Sequence, residues 1–150
     1  LVVDMPPGTG DIQLTMAQNV PLAGAVIVTT PQDIALLDAR KGIEMFRKVE
    51  VPLLGVVENM STHVCRECGH HEAIFGEGGG DAIAAEYGVR MLARLPLSMD
   101  IRLQADGGQP PLVAGPNSET SQLFRAMAQE ILVALDNNVD AGPMIQIIED

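Results

Sequence analysis

Tryptophan is absent from the 150 residues, tyrosine occurs once (Tyr87) and phenylalanine three times. A core without those rings must be aliphatic and methionine-rich, and 47% of the residues are hydrophobic to build it. Basic residues are scarce too: 9 Lys and Arg against 20 Asp and Glu give a formal net charge of −11. That balance argues against nucleic acid, whose phosphates need a basic footprint, and against an anionic membrane surface. Long apolar runs are missing as well, since stretches such as Ala25–Val28 fall far short of the ~20 residues of a membrane span. No signal-peptide pattern is visible. Cysteine is limited to Cys65 and Cys68. A CxxC pair without a secretory signal favours a reducing, cytoplasmic setting and a metal or redox role over a structural disulfide. The chain also lacks an initiator Met and begins inside an apolar run, Leu1-Val2-Val3-Asp4. The expectation is a piece whose N-terminal portion is absent.

Punctuation by Gly, Pro and Asn divides what is present into alternating elements. Leu1–Met5 reads as a buried strand ending near Asp4, followed by a Pro/Gly loop and a helix over 12–19 with Asp11 as its cap. Residues 23–30 read as a strand covered on both faces. Thr30 as N-cap, Pro31 and Asp33 open a helix whose buried stripe is Leu36, Ala39, Ile43 and Phe46. Residues 53–57 give a third strand and 62–75 an ordered excursion suited to a small hairpin. A glycine-rich turn at 76–80 leads into a helix over 81–87 that buries Ala82, Ile83 and Ala85 and is closed by Gly88. Residues 91–95 make a fourth strand stopped by Pro96. Ser98 or Asp100 starts a short helix, and the last helix, over 119–135, presents Phe124, Met127 or Ala128, Ile131 and Leu135. Residues 136–150 read as a polar, acidic tail. Such alternation means α/β with a mainly parallel sheet. The loops after Asp4, Thr30, Asn59 and Leu95 would gather at the carboxyl ends of the strands, where ligands bind.

Asp4 at a strand end suits an acid holding Mg²⁺ through water, and Gly8-Thr9-Gly10 would offer backbone N–H groups to a phosphate. Strand ends and tight turns also use these residues for shape alone. Asn59 on its own reads as a turn residue. The two thiols at 65 and 68 can serve a metal–sulfur cluster, half a zinc site, a redox disulfide, or nothing beyond two reduced surface cysteines. His63, His70 and His71 stand too close to the pair for zinc-finger spacing and are expected to be neighbours rather than ligands.

The ordered set of motifs resembles one family. Asp4–Asp11, Val28-Thr29-Thr30-Pro31-Gln32, Val57-Glu58-Asn59-Met60-Ser61, Cys65/Cys68, Phe75–Gly80 and Leu95-Pro96-Leu97 are similar, in order, to the Mrp/ApbC proteins. These are deviant P-loop ATPases related to MinD that carry iron–sulfur clusters. The resemblance covers the chain to about residue 135 and implies a three-layer P-loop NTPase-like fold with its N-terminal strands missing. On this basis 1–135 would be the C-terminal part of one ATPase domain. The resemblance implies Asp4 near Mg²⁺, Gly8, Thr9 and Gly10 as the switch loop at the γ-phosphate of ATP, and Asp11 positioning that switch. It puts Asn59 at the adenine edge and the loop after Pro96 against the base. It makes Cys65 and Cys68 one half of a site for a [4Fe–4S] cluster bridging a homodimer, with apo iron–sulfur proteins as recipients.

The family's lysine-bearing phosphate loop is not among these residues; Lys41 and Lys48 are the only lysines and both fall on one helix. ATP hydrolysis by this piece alone is therefore expected to be poor or nil. An unpaired edge on the Leu1–Met5 strand would make it prone to aggregate. Two other functions stay open: a MinD-like positioning ATPase and a zinc-bridged dimerisation module. A membrane-positioning role would want a basic amphipathic C-terminus, and Asp136–Asp150 contains no Lys or Arg.

Overall fold

The computed structural model describes every residue except Pro7, Thr9, Arg66 and 139–150. Helix α1 (Asp11–Asn19) precedes strand β1 (Ala25–Thr29), and α2 (Asp33–Lys48) returns the chain to β2 (Leu53–Glu58). A small excursion, β3 (His63–Val64) and β4 (His71–Glu72), comes before α3 (Gly79–Tyr87) and β5 (Met91–Arg94). Helices α4 (Met99–Asp106), α5 (Pro111–Ala114) and α6 (Glu119–Asn138) complete the described chain. The main sheet is parallel with order β1-β2-β5, and β3 pairs β4 antiparallel as a separate hairpin.

Three layers result. On one face, Ile27 and Val56 of the sheet pack against Leu36, Ala39 and Ile43 of α2 and Ile83 and Ala84 of α3. On the other, Val57, Leu92 and Leu95 meet Leu123, Phe124, Met127 and Ile131 of α6. The β-branched run of β2 faces both ways, which is why it reads as continuously apolar. Gly55 lets β5 come close: a Cβ there would lie 2.5 Å from the Arg90 carbonyl oxygen. Among the described residues no helix is long and apolar enough to cross a membrane.

Several expectations change. Leu1–Met5 forms no strand, and Leu1 and Val2 are fully exposed, because no strand of the sheet pairs with them. The edges of the three-stranded sheet belong to β1 and β5 instead. Strand β1 is not covered on both faces either: Val26 packs against the cluster of Val57, Leu92 and Leu95, but Val28 is 63% exposed. Asp11 does not cap α1; Gly10 takes the cap position and Asp11 sits in the first turn, where its charge still suits the helix dipole. Helix α2 starts at Asp33 with Gln32 at the cap, since the Thr30 hydroxyl turns to the Gln32 side chain rather than to a helix N–H. In α3 the buried pair is Ile83 and Ala84, while Ala82 and Ala85 are exposed. Helix α6 runs to Asn138, three residues past the anticipated end, and the rest of the anticipated tail lies outside the described residues.

Candidate functional site

The parallel strands bring three loops to one edge, and backbone hydrogen bonds stitch them together. The Asn59 N–H donates to Thr29 O at 2.7 Å, joining the ends of β2 and β1. Leu95 N–H donates to Glu58 O at 2.8 Å, and Ser61 N–H to Leu95 O at 3.0 Å, joining β2 to the segment after β5. The Ser61 hydroxyl adds a bond to the same carbonyl at 3.1 Å. Asn59 and Pro96 therefore share an edge, as anticipated from the strand order. Between Asn59 and Ser61, Met60 holds φ 57, a left-handed conformation unusual for a residue with a side chain. The Asn59 carboxamide oxygen accepts the Met60 N–H at 2.9 Å and steadies that turn.

The cysteine hairpin grows from this same edge. Leu97 N–H donates to Thr62 O at 2.9 Å, His63 makes a parallel bridge with Leu97, and its Nδ1 lies 3.3 Å from Leu97 O. Register His63↔Glu72 and Val64↔His71 then sets Cys65 at the start of a tight turn. Cys65 N–H donates to His70 O, and Gly69 N–H to Cys65 O, each at 2.9 Å. Gly69 has φ 68, so the position favours glycine.

Both cysteines are free thiols, Cys65 half-buried and Cys68 exposed. The Cys65 thiol is held below its ordinary pKa, chiefly by the backbone N–H of Cys68, then by that of Glu67 and the Cys68 side chain; slight burial and the Glu72 charge work against this. A thiolate fed by backbone donors is the form that binds metal. The donor set is nevertheless short. Among the described residues no three His, Cys, Asp or Glu come together as a metal site, and His70 and His71 are exposed. The turn thus holds two thiols, with the histidines beside them in sequence.

Asp4 and the glycine loop precede α1. Asp4 is exposed and lies outside any strand. Gly8 has φ 100 with open space where a side chain would be, Gly10 precedes α1, and Thr9 lies outside the described residues. The loop is tied to α1: the buried Gln13 donates from Nε2 to Pro6 O at 2.9 Å. Lys41 is bonded to Asp38 at 2.9 Å, and Lys48 is in the last turn of α2, away from the strand ends where α2 begins.

One residue escaped the sequence reading. Glu58, the last residue of β2, is 2% exposed, and its Oε2 accepts the Gly80 N–H at 2.6 Å. A carboxylate at a helix N-terminus is favourable, but its partner stands 22 residues away. The local signal was an acid closing an apolar strand, with a Gly-Gly-Gly helix start downstream.

A family model described as the NUBPL iron-transfer P-loop NTPase, ParA, matches residues 1–132. The chain is 66% identical over 128 residues to an iron–sulfur cluster carrier protein of Pseudomonas fragi, covering 85% of this chain and 45% of that protein. It is 56% identical over 135 residues to the carrier of Escherichia coli K12, covering 90% and 37%. It is 49% identical over 138 residues to the mouse iron–sulfur cluster transfer protein NUBPL, covering 92% and 43%. The chain thus spans less than half the length of these curated relatives. Among solved structures, a nucleotide-binding protein of Archaeoglobus fulgidus in complex with ADP matches with TM-score 0.66 at 34% identity, over 80% of this chain and 48% of that one. The Pyrococcus furiosus cell division ATPase MinD shares the fold, with TM-score 0.58 at 24% identity, over 74% and 43%.

Proposed function

The chain belongs to the NUBPL-type iron-transfer family of P-loop NTPases, and from that premise we propose that it is part of an ATP-dependent carrier of iron–sulfur clusters. The observation that carries this reading is the cysteine turn. It presents two thiols on an ordered hairpin, one of them favoured as thiolate, with no third ligand near them among the described residues. A [4Fe–4S] cluster asks for four thiolates. Two copies facing each other through a two-fold axis would bring two pairs to one point. In this proposal Cys65 and Cys68 hold the cargo at a homodimer interface and release it to apo-proteins, whose own cysteines complete the exchange.

Adenine nucleotide would bind along the stitched edge. Asn59 would face the base, and the loop from Pro96 would flank it. Asp4, Gly8, Thr9, Gly10 and Asp11 would serve Mg²⁺ and the phosphates. The ADP bound by the Archaeoglobus fulgidus neighbour supports a nucleotide here. Hydrolysis would need a phosphate-binding lysine that these residues do not place there, so it belongs to the protein at the length of its relatives. Its setting would be a reducing one such as the cytoplasm.

Anaerobic reconstitution with iron and sulfide tests the reading. Broad visible absorbance that is lost in Cys65→Ser and Cys68→Ser supports a cluster. Colourless protein holding stoichiometric zinc would instead support a zinc-bridged module.

A further inference from the structure

Both arms of the cysteine hairpin are rooted in four consecutive residues, Glu58 to Ser61. The incoming arm follows Ser61, which is fixed to Leu95 by its N–H at 3.0 Å and its hydroxyl at 3.1 Å. The outgoing arm runs through Phe75 and Gly76 to α3, and there the Gly80 N–H is held by Glu58 Oε2 at 2.6 Å. Between those roots lie Asn59, tied to Thr29, and Met60 at φ 57. Gly80 is fitted to this contact: a Cβ would lie 3.0 Å from both Glu58 Cβ and Glu58 Oε2. The carboxylate is 2% exposed, so no water competes freely for it.

We infer that Glu58 is a positioning residue that couples the nucleotide-facing edge to the cysteine hairpin. The inference rests on the proposed nucleotide and cluster sites and adds how one would act on the other. Asn59 follows Glu58 directly, so a ligand that shifts the Asn59 peptide also shifts the carboxylate holding the hairpin's far root. The near root moves with it through Ser61 and Leu95. The chain at Met60 is held in a conformation disfavoured for a side-chain-bearing residue, which its neighbours' hydrogen bonds impose and which a shift of those neighbours would release. A ligand that binds one arrangement better then shifts the hairpin population by that difference in affinity.

Amide hydrogen exchange of residues 62–75 in the full chain, with and without Mg-ADP, tests this, with ADP affinity measured alongside. In the wild type, ADP is expected to change hairpin exchange. In Glu58→Ala, hairpin exchange without ligand should rise by about tenfold or more, as for loss of a charged hydrogen bond. The ADP response of the hairpin should vanish, and ADP affinity should change by no more than the coupling that is lost, about threefold, since the Glu58 carboxylate is engaged by the Gly80 N–H. Glu58→Gln keeps an uncharged acceptor and should show a reduced response; it decides the matter if Glu58→Ala does not fold. A wild-type hairpin that ignores ADP, or variants that keep the whole response, would overturn the inference. Cluster reconstitution on the same samples separates the two ideas. A cluster that forms beside an ADP-indifferent hairpin sinks the coupling alone, whereas an ADP-responsive hairpin that takes up no cluster sinks the carrier reading.

Discussion

Adding one methyl group at Gly80 sets three effects against each other. Alanine should favour helix α3 by at most ~1 kcal/mol, and less so near the helix start. Against this, the new Cβ would sit 2.8 Å from Met91 Cε and 3.0 Å from both Cβ and Oε2 of Glu58. Met91 can swing its terminal methyl aside. Glu58 cannot, because its Cβ belongs to the buried strand β2 and its carboxylate is held at 2.6 Å by the Gly80 N–H itself. Overpacking of this kind costs about 1–3 kcal/mol. Lengthening a buried hydrogen bond to a charged group forfeits part of a further ~1.5–3 kcal/mol. The net expectation for Gly80→Ala is destabilisation by about 2–4 kcal/mol. Urea unfolding followed by circular dichroism reads it: with a slope near ~1.5 kcal/mol/M, the midpoint should fall by roughly 1.3–2.7 M. An unchanged or raised midpoint would refute the claim that Glu58 and the start of α3 are in close, specific contact.

Four further outcomes follow from the same geometry. Alkylation of Cys65, resolved by mass spectrometry, should reach half its maximal rate below the pH of an ordinary thiol: its pKa is lowered, so the thiolate persists as pH falls until that lowered value is passed. A profile centred at or above ordinary thiol values would contradict the N–H donors at the turn. Ile43→Ala and Ile83→Ala, each at a fully buried side chain, should each lower stability by about 2–5 kcal/mol in calorimetry; a loss under ~1 kcal/mol would mean the α2–sheet–α3 packing is wrong. Asp38→Ala removes an exposed partner of Lys41 and should change stability by less than ~1 kcal/mol. The 150 residues alone should show no ATP turnover above the Asp4→Ala background in a phosphate-release assay, and clear turnover would overturn the reading of the missing lysine.

The strand–helix alternation was legible because each buried strand is a short apolar run closed by Pro, Gly or Asn, and because α2 carries its stripe at helical spacing. The hairpin at the cysteines was legible for the opposite reason: it is too polar for core and still bounded by ordered elements. Strand Leu1–Met5 misled because its composition is that of a strand, yet a parallel strand exists only by pairing, and its neighbour is not encoded locally. Val28 misled in the same way, since coverage of the second face of β1 depends on elements distant in sequence. At the candidate site, the loops at Asn59 and Pro96 could be put on one edge from topology alone, whereas the attachment of the cysteine hairpin to Leu97 there could not. Nor could Glu58, because a carboxylate's partner across 22 residues has no periodic signature. The short helix α5 was hidden in a Pro-Pro break, where proline both ends one element and starts the next.

In the proposed carrier, one chain supplies half of a cluster site and a second copy the other half. Native mass spectrometry of the anaerobically reconstituted protein tests it most directly. A dimer carrying four iron and four sulfide, which falls apart to metal-free monomers when Cys65 and Cys68 are both replaced by serine, is the predicted result. A cluster retained on a monomer, or a dimer held by zinc alone, would contradict it.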